Sequence, residues 1–471
     1  MRRVVLGVLL GSPLMIGCAG YQARPIHAPE LEITYRARTL DDAQLRSFVE
    51  VGGGTARSTW PPRALDLKTL TLIGYYYSAD LDVARAQLAV AEAGIRGAGV
   101  RVNPDLSVNA GYNRNPESHV EYGFVPAFTL ETAGKRGYRI LRAERQADAA
   151  RIGLSQAGWT LRSRIRAAFV NHFLATQRLG LLRTEQSVRA EIVEIFDRRL
   201  AVGEAARPEL DVYRVDLITT DAAVLVVAGE VAQMRAVLAN AVGVPLAALQ
   251  DMPIEPSALE APPVEEALPI QRLQRAGLLH RADLQRSLAD YQAADIALRL
   301  ELARQYPDLV LSPGYTFEEG FARYVLSAAF QPVALFHHNQ GPIAVAEAQR
   351  LEAASHFEAL QAQAIGEMER ALVQYRAALN EWREANDRLI RVQGDREEAA
   401  RRALDAGEGD RLSLAIVRLQ TVTAARARLD ALTHVQTALG ALEDAMQQPL
   451  EAALSVPDPT RVSPRKGAGA Q

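Results

Sequence analysis

The sequence has a single cysteine, almost no net charge and no long apolar run beyond its N-terminus, and these shortages exclude several classes of protein. Cys18 is the only cysteine among 471 residues, so no intrachain disulfide framework can form. A net charge of -3, from 53 basic and 56 acidic residues, gives no reason to expect nucleic acid as a partner. Beyond the N-terminus, no run reaches the roughly 18 consecutive apolar residues of a membrane helix. If the chain crosses a membrane, we therefore expect it to do so with β-strands.

The N-terminus is typical of a secreted and lipidated protein. A basic pair is followed by an apolar run, Val4 to Leu10, and then by small residues, which are the three parts of a secretory signal. The motif Met15-Ile16-Gly17-Cys18 resembles a bacterial lipobox, which implies a signal peptide over 1–17 and a covalent lipid on Cys18. The alternative is an ordinary signal peptide that happens to end near a cysteine. Ala19, rather than Asp, follows the cysteine, and in bacterial lipoproteins this favours the outer membrane.

Two short segments of the chain are copies of one another. "NPDLSVNAGYNR", Asn103 to Arg114, matches "YPDLVLSPGYTF", Tyr306 to Phe317, at five identical positions that are all 203 residues apart. Upstream, Asp80-Leu81 matches Asp283-Leu284 at the same offset. The chain is therefore a tandem duplication, and one fused unit of two repeats is a natural architecture for it.

Each copy begins a predicted β-hairpin, over about 104–130 and 307–331. Apolar and polar residues alternate along the strands, so each strand has two unlike faces. Strands of about 9 to 11 residues suit a tilted transmembrane strand, although hairpins that cover the core of a soluble domain would alternate in the same way. Four strands cannot close a barrel, so a membrane-spanning sheet requires two chains with eight strands or three chains with twelve. We expect Ser107, Asn109, Asn113, Ser312 and Thr316 to face water, and Leu106, Val108, Leu309 and Leu311 to face lipid.

Long proline-free segments follow both hairpins. They predict helices over about 133–202 and 342–406, each roughly 100 Å long, which favours coiled coils. Glycine-centred turns end both helices, at tips over 203–208 and 407–410. The tip glycines are 204 residues apart, whereas the first strands of the two hairpins are 203 apart. We therefore expect that one residue has been added across each long helix relative to the strands. Shorter helices before the strands and after the tips are expected to stack end to end beside the long ones.

These segments predict a mainly α fold with a small transmembrane β part. The predicted order is a signal peptide at 1–17, an N-terminal lipidated linker or equatorial segment at 18–64, repeat 1 at 65–244, a proline-rich surface linker or equatorial segment at 245–270, repeat 2 at 271–447 and a disordered tail at 448–471.

The combination resembles the outer-membrane efflux family, the TolC-like channels of tripartite pumps. The resemblance covers about 65–446 and rests on the repeated plan, the "NPDL" and "YPDL" strand starts, the glycine tips, and "NQGPIAVAEAQ", Asn339 to Gln349. It implies a homotrimer in the outer membrane, with a twelve-stranded barrel continued by an α-helical tunnel into the periplasm. It also implies two protein partners: a periplasmic adaptor and an inner-membrane transporter of the RND class.

In that family, the tips bind the adaptor and contribute to the gate of the channel. The resemblance implies that the adaptor docks on the tips, which here comprise Arg199, Leu200, Gly203, Leu404 and Gly407. An acidic residue six places after the tip glycine contributes to the closed constriction in the family. Glu209 occupies this place in the first repeat, with Asp211 nearby, whereas the second repeat has Ser413 there and Asp410 closer to its glycine. Solvated acids at a helix start are the alternative interpretation of these charges.

"ETAGKRGYR", Glu131 to Arg139, is similar to a Gly-Lys-Arg segment of the heavy-metal branch, which implies export of divalent metal cations, with multidrug or organic-solvent efflux as the alternative. His337-His338 supplies no complete coordination set, so we predict no metal site and no cofactor besides the lipid. No phosphate-binding glycine loop or nucleophile motif indicates an enzyme. A porin would be all strand, and a structural coiled-coil lipoprotein would leave the hairpins without a role.

Overall fold

The structure is a computed structural model that describes residues 20–53, 59–112, 114, 120–256, 259–264, 270–333 and 335–450. The signal peptide, Cys18, Asn113 and the tail from 451 onward lie outside the described residues, so those predictions stay predictions. The chain divides into two compact units, 1–38 and 39–471. The first contains helix α1 (Ala28–Arg36), and everything below concerns the second.

The second unit contains the predicted repeats and three further helices. Repeat 1 comprises α4 (Ala79–Ala98), β1 (Asp105–Tyr112), β2 (Val120–Leu130), α5 (Lys135–Ala201) and α6 (Arg207–Val242). Repeat 2 comprises α8 (Ala282–Ala303), β3 (Asp308–Glu318), β4 (Phe321–Gln331), α9 (Gln340–Arg383), α10 (Ile390–Asp405) and α11 (Arg411–Met446). The further helices are α2 (Ala43–Gly53), which precedes the repeats, α3 (Leu67–Tyr77), which begins repeat 1, and α7 (Ile270–His280), which begins repeat 2.

The long helices have the predicted length. Helix α5 has 67 residues, and at 1.5 Å per residue it is about 100 Å long. In repeat 2 a π-helical segment, Glu384–Leu389, joins α9 to α10 into one continuous rod. The prediction that the additional residue lies within the long helices is wrong. Asp105 pairs with Ala127 and Asp308 pairs with Gln331, so the offset already grows from 203 to 204 within the hairpin, where the β-ladder fixes which residues face each other.

Short helices stack end to end in both repeats. At the end of α6, Gly243 has a positive φ of 83° and lies so close to Tyr77 that an added Cβ would come within 3.3 Å of the Tyr77 carbonyl oxygen. In repeat 2 the Arg281 guanidinium donates to the Ala445 carbonyl at 2.9 Å, just before α8 begins. Each pair of short helices therefore lies along one long helix, because α4 and α6 both contact α5 while α8 and α11 both contact α9.

The main core lies where the short helices meet. Helix α3 is almost wholly buried in this core. Phe169 of α5 and Tyr375 of α9 are among the largest buried side chains of the core. Leu45 of α2 is fully buried in the same core. The segments on either side of repeat 1 are thus more than the surface linkers expected from their composition, since Leu259 of the 245–270 linker is buried as well. Proline content predicted the breaks in helix there, but buried leucines bind these segments to the core.

The four strands form one antiparallel sheet in the order β1-β2-β3-β4. Both hairpins fold as predicted, and the central seam pairs β2 of repeat 1 with β3 of repeat 2. The second hairpin turns at Glu319 and Gly320, whose φ values of 52° and 85° are those of a type I′ turn.

Candidate functional site

The sheet has two chemically different faces, and the register brings like residues of all four strands together. Phe124 lies opposite Val108 on one side and opposite Tyr315 on the other, and Tyr315 lies opposite Tyr324. Because opposite residues share a face, one face is apolar throughout. The predicted faces agree with this register: Leu106, Val108, Leu309 and Leu311 lie on the apolar face, and Ser107, Asn109, Ser312 and Thr316 lie on the other face.

Aromatic rings collect on the apolar face near the hairpin turns. Tyr122 stacks on Phe317 with ring centroids 5.2 Å apart, and Phe124 stacks on Tyr315 at 5.6 Å. Tyr324 meets Tyr315 edge to face at 5.4 Å. Most of these rings are exposed, Tyr324 to 81%. A contiguous exposed apolar and aromatic surface of this kind is typical of a lipid-facing sheet with an aromatic girdle.

A buried ion pair joins the strands to the long helix. Lys135, the second residue of the Gly-Lys-Arg segment, donates from Nζ to the Asp308 carboxylate at 2.8 Å and to the Tyr306 carbonyl at 2.6 Å. Asp308 also accepts from the Thr132 backbone N–H at 2.8 Å. The Lys135 side chain is only 8% exposed. Sequence reasoning singled out "GKR" and "YPDL" separately, but their contact bridges more than 170 residues and no local pattern reveals it.

Two further arginines fasten the start of α5 to its surroundings. Arg136 donates to the Gly99 carbonyl at 2.7 Å, at the end of α4. Arg139 forms an ion pair with Glu131, and this hydrogen bond raises the pKa of the Arg139 guanidinium above its ordinary value. All three basic residues of this segment therefore hold the strand-to-helix joint of repeat 1.

His337 and His338 are exposed beside a cavity of about 490 Å³ that Lys135, Arg139 and Asp308 also line. The charges of Lys135 and Arg139 in this small space do not favour binding of another cation. Within the described ranges, no three His, Cys, Asp or Glu side chains converge as metal ligands would.

The two tips have the same backbone structure. At the first tip, Gly203 has a φ of 77°, and the Glu204 N–H donates to the Arg199 carbonyl at 2.8 Å. At the second, Gly407 has a φ of 76°, and the Glu408 N–H donates to the Ala403 carbonyl at 2.9 Å. Both are Schellman motifs, which require a left-handed residue that glycine supplies without strain.

One apolar cluster lies beneath both tips. Phe196 and Leu210 of repeat 1 are buried against Ala415 of repeat 2, and Phe196 stacks on Tyr213 at 4.3 Å. Leu200 packs against this cluster, whereas Leu404 is half-buried at the second tip. The structure therefore brings the predicted tip residues of both repeats to the same end of the helices.

The predicted gate residues have different surroundings. Asp410 is the N-cap of α11, and its carboxylate accepts from the Ser413 backbone N–H at 2.6 Å. This hydrogen bond, with a smaller contribution from Arg199 at 3.9 Å, lowers the pKa of Asp410 below its usual range. Glu209 lies exposed in the first turn of α6, and Asp211 lies 3.6 Å from Arg214. Asp410 therefore has a capping role, and a gating role of all three stays a prediction.

Two buried charged groups near the helix junctions were missed by sequence reasoning. Glu443 of α11 is buried between Arg162 and Arg166 of α5, with N–O distances of 3.1 and 3.2 Å. Arg281 contacts Asp283 at 2.7 Å and Glu367 at 3.0 Å. Arginine and glutamate are the commonest charges of this chain's helix surfaces, so nothing local distinguishes the buried ones.

Among the described helices, α6 alone is long and apolar enough to cross a bilayer by length and composition, and only 17% of its most apolar window is buried. The sequence alone did not predict such a helix, because polar residues interrupt the apolar residues of α6 before they form a run of about 18. Helix α6 begins at a tip and pairs with α5 through charged groups, including Arg189 and Asp216 at 2.7 Å. It therefore carries an unpaired apolar surface alongside a polar one.

The chain is similar to known proteins in part of its sequence and in its fold. A family model described as "Outer membrane efflux protein" matches residues 77–244. The cobalt-zinc-cadmium resistance protein CzcC of Cupriavidus metallidurans is 25% identical over 266 residues, which are 56% of this chain and 61% of the relative's length. The alignment thus spans less than two thirds of that relative.

Solved structures share the fold at low sequence identity. The outer membrane protein VceC of Vibrio cholerae matches 82% of this chain and 97% of its own, with a TM-score of 0.64 and 18% identity. The open state of the MtrE outer membrane channel of Neisseria gonorrhoeae matches 83% of this chain and 90% of its own, with a TM-score of 0.63 and 17% identity. The family model thus covers the first repeat, and the solved structures show that the chain shares the fold of these outer membrane channels.

Proposed function

We propose that the protein is the exit duct of a tripartite efflux pump, which carries divalent heavy-metal cations across the periplasm and the outer membrane. In this proposal it is a homotrimer, anchored by the lipid on Cys18. Its tips bind a periplasmic adaptor that links it to an inner-membrane RND transporter.

The sheet carries this proposal. One face is apolar and exposed in all four strands, the other bears polar residues, and both outer strands have an edge that pairs with no other described strand. A lone four-stranded sheet of this kind is unstable in water, because its apolar face is uncovered, and in lipid, because its edges are unpaired. Closure with other copies satisfies both requirements. Rods of about 100 Å attached to the sheet then extend the closed pore away from the membrane.

The helices support lateral association of the same kind. The helices lie side by side in one layer: α6 contacts α5, α5 contacts α11, and α11 contacts α9 and α10. Helix α6 and the α9–α10 rod therefore form the opposite edges of this layer. Both edges bear exposed apolar side chains. On α6 these are Val212, Val215, Ile218, Leu225 and Val226, and on the α9–α10 rod they are Val373, Leu389 and Val392. A neighbouring copy that buries one edge against the other accounts for the apolar surface of α6 without placing that helix in lipid.

The choice of metal cations rests on the Gly-Lys-Arg segment and on the similarity to CzcC. The test is a chromosomal deletion, challenged with cobalt, zinc and cadmium salts in one series and with dyes and detergents in another. We expect sensitivity to the metals alone, reversed by the wild-type chain. Sensitivity to dyes and detergents alone would instead assign the duct to organic compounds, and no change in either series would contradict an efflux role.

Assembly and anchoring need separate measurements. The mature protein should fractionate with outer membranes as a detergent-stable trimer, and recovery as a soluble monomer would refute the channel. Cys18→Ser should abolish labelling by a radioactive fatty acid and leave the trimer intact. Labelling that persists in this variant would exclude Cys18 as the lipidated residue.

A further inference from the structure

Within the described residues, the two outer strands, β1 and β4, each have one edge that pairs with no other strand. Their exposed side chains include Tyr112 at 74% and Phe330 at 59%. We propose that β4 of one subunit pairs with β1 of the next in one defined register, which the internal seam between β2 and β3 already displays. This inference rests on the proposed trimer and adds the residue pairs that close it.

The internal repeat supplies the register. Residues of β3 carry numbers 203 higher than their counterparts in β1, as Asp105 and Asp308 show. Because Ala127 lies opposite Asp105 and Gln331 lies opposite Asp308, residues of β4 carry numbers 204 higher than their counterparts in β2. A contact between β2 and β3 can therefore be converted into a contact between β4 and the β1 strand of a neighbour.

Two observed pairs of the internal seam define the predicted one. Phe124 lies opposite Tyr315, and this pair converts to Ala328 opposite Tyr112 of the next subunit. Phe128 lies opposite Leu311, and this pair converts to Pro332 opposite Val108. Midway between them, Phe330 falls opposite Ala110.

The side chains agree with this register. All the strand residues brought together lie on the apolar face of their own strands, so both faces of the sheet continue across the seam. A slip of one residue would place apolar side chains against the polar face. Each central pair also sets an aromatic ring against an alanine, Tyr112 against Ala328 and Phe330 against Ala110. The rings that are exposed in one chain thus gain a surface to cover.

The base of the strands gives an independent reason. Inside the chain, the Asp308 carboxylate accepts from the Thr132 N–H and from Lys135. Its counterpart Asp105 is exposed, and within the described parts of the chain its carboxylate has neither a hydrogen bond nor an ion pair.

Beyond Gln331, where β4 ends, the helix starts fix the correspondence, because the left-handed N-caps of α5 and α9, Gly134 and Asn339, are 205 residues apart. The counterpart of Thr132 is therefore His337, which is exposed. The seam would bring Asp105 of the next subunit to this exposed segment before α9. The segment offers Asp105 backbone N–H groups and the imidazoles of His337 and His338, in place of the lysine used within the subunit.

Paired cysteines test the register. Because the chain's only native cysteine is the one predicted to carry lipid, new thiols can be introduced singly or in pairs. Tyr112→Cys with Ala328→Cys places two Cβ atoms directly opposite one another, roughly 4.5–5.5 Å apart, so a small shift brings them to the roughly 3.5–4.5 Å of a disulfide. Ala110→Cys with Ala328→Cys is the matched control, because its diagonal Cβ atoms would lie roughly 7–8 Å apart. We expect the first pair to give covalent dimers and trimers on oxidation, and the control pair and the single variants to give at least ~5-fold less, given that distance.

Each outcome decides a different point. If the control pair, at positions 110 and 328, cross-links more than the pair at positions 112 and 328, the proposed register is wrong, although the proposed trimer still stands. An intact trimer with no cross-link in either pair would overturn pairing of β4 with β1. A monomer in the wild type would refute the proposed trimer itself. As a second measurement, Asp105→Asn should lower the temperature at which the solubilised trimer dissociates, and an unchanged temperature would remove Asp105 from the seam.

Discussion

Glu443 offers the sharpest test of what holds the helices together. Its side chain is 2% exposed, and those of Arg162 and Arg166 are 3% and 7% exposed. Glu443 also accepts from the Leu450 N–H at 2.9 Å. Glu443→Gln keeps the shape of the side chain but leaves both guanidinium groups buried without a counter-charge. Breaking a buried ion pair in this way costs about 3–5 kcal/mol of the free energy of unfolding.

The neighbouring Asp444 is a matched control. Its carboxylate is exposed and accepts from Ser163 at 2.7 Å, so Asp444→Asn should cost no more than about 1 kcal/mol. The assay is guanidinium unfolding of the solubilised protein, at one protein concentration, followed by tryptophan fluorescence. Trp159 lies 4.8 Å from the Arg162 guanidinium and reports on this site.

Two results would refute the reasoning. The first is a Glu443→Gln variant as stable as Asp444→Asn, which would mean that water or other groups neutralise the arginines. The second concerns the combined variant Arg162→Met, Arg166→Met, Glu443→Leu. Replacement of a whole buried ion cluster by apolar side chains is often neutral or stabilising. We therefore expect this variant to regain most of the lost stability, and a larger loss than in Glu443→Gln would contradict an electrostatic origin.

Three smaller effects follow from the tips and the core. Gly203→Ala should cost roughly 1 kcal/mol from its positive φ alone, measured by guanidinium unfolding, since an added Cβ meets no atom within 4 Å. Asp410→Ala should cost about 1 kcal/mol at neutral pH through the lost cap, and Asp410→Asn much less. Because the pKa of Asp410 is lowered in the folded state, its contribution is present above the unfolded pKa of about 3.9 and is lost as the pH falls through the lower folded pKa. Burial, and to a smaller extent the charge of Arg235, lowers the pKa of His172 in the folded state. As the pH falls, the unfolded state therefore binds this proton first, and the free energy of unfolding decreases below about pH 6.5. His172→Leu should flatten that part of a series of melting temperatures measured against pH.

Local chemistry predicted the repeated elements. Alternation along "NPDLSVNAGYNR" and "YPDLVLSPGYTF" was sufficient to predict the strands and both faces, because side-chain direction in a strand depends only on position. Proline-free length and tip glycines predicted the long helices and their turns, because these depend on backbone preferences within a few residues. The lipobox and the docking and gating roles of the tips stay predictions.

The tertiary structure decided the features that join distant parts of the chain. Lys135 contacts Asp308, and Glu443 contacts Arg162, across 173 and 281 residues, and in both cases the chemistry that matters is the loss of water around the charge. Burial of Leu45 and Leu259, in segments with the composition of linkers, likewise depends on which helices surround them. The sequence by itself determined a duplicated chain of helices and two-faced hairpins, since each element follows from its own residues. Only the tertiary structure decided how the repeats join, where the additional residue lies and which edges stay unpaired, since those depend on contacts between residues far apart in the chain.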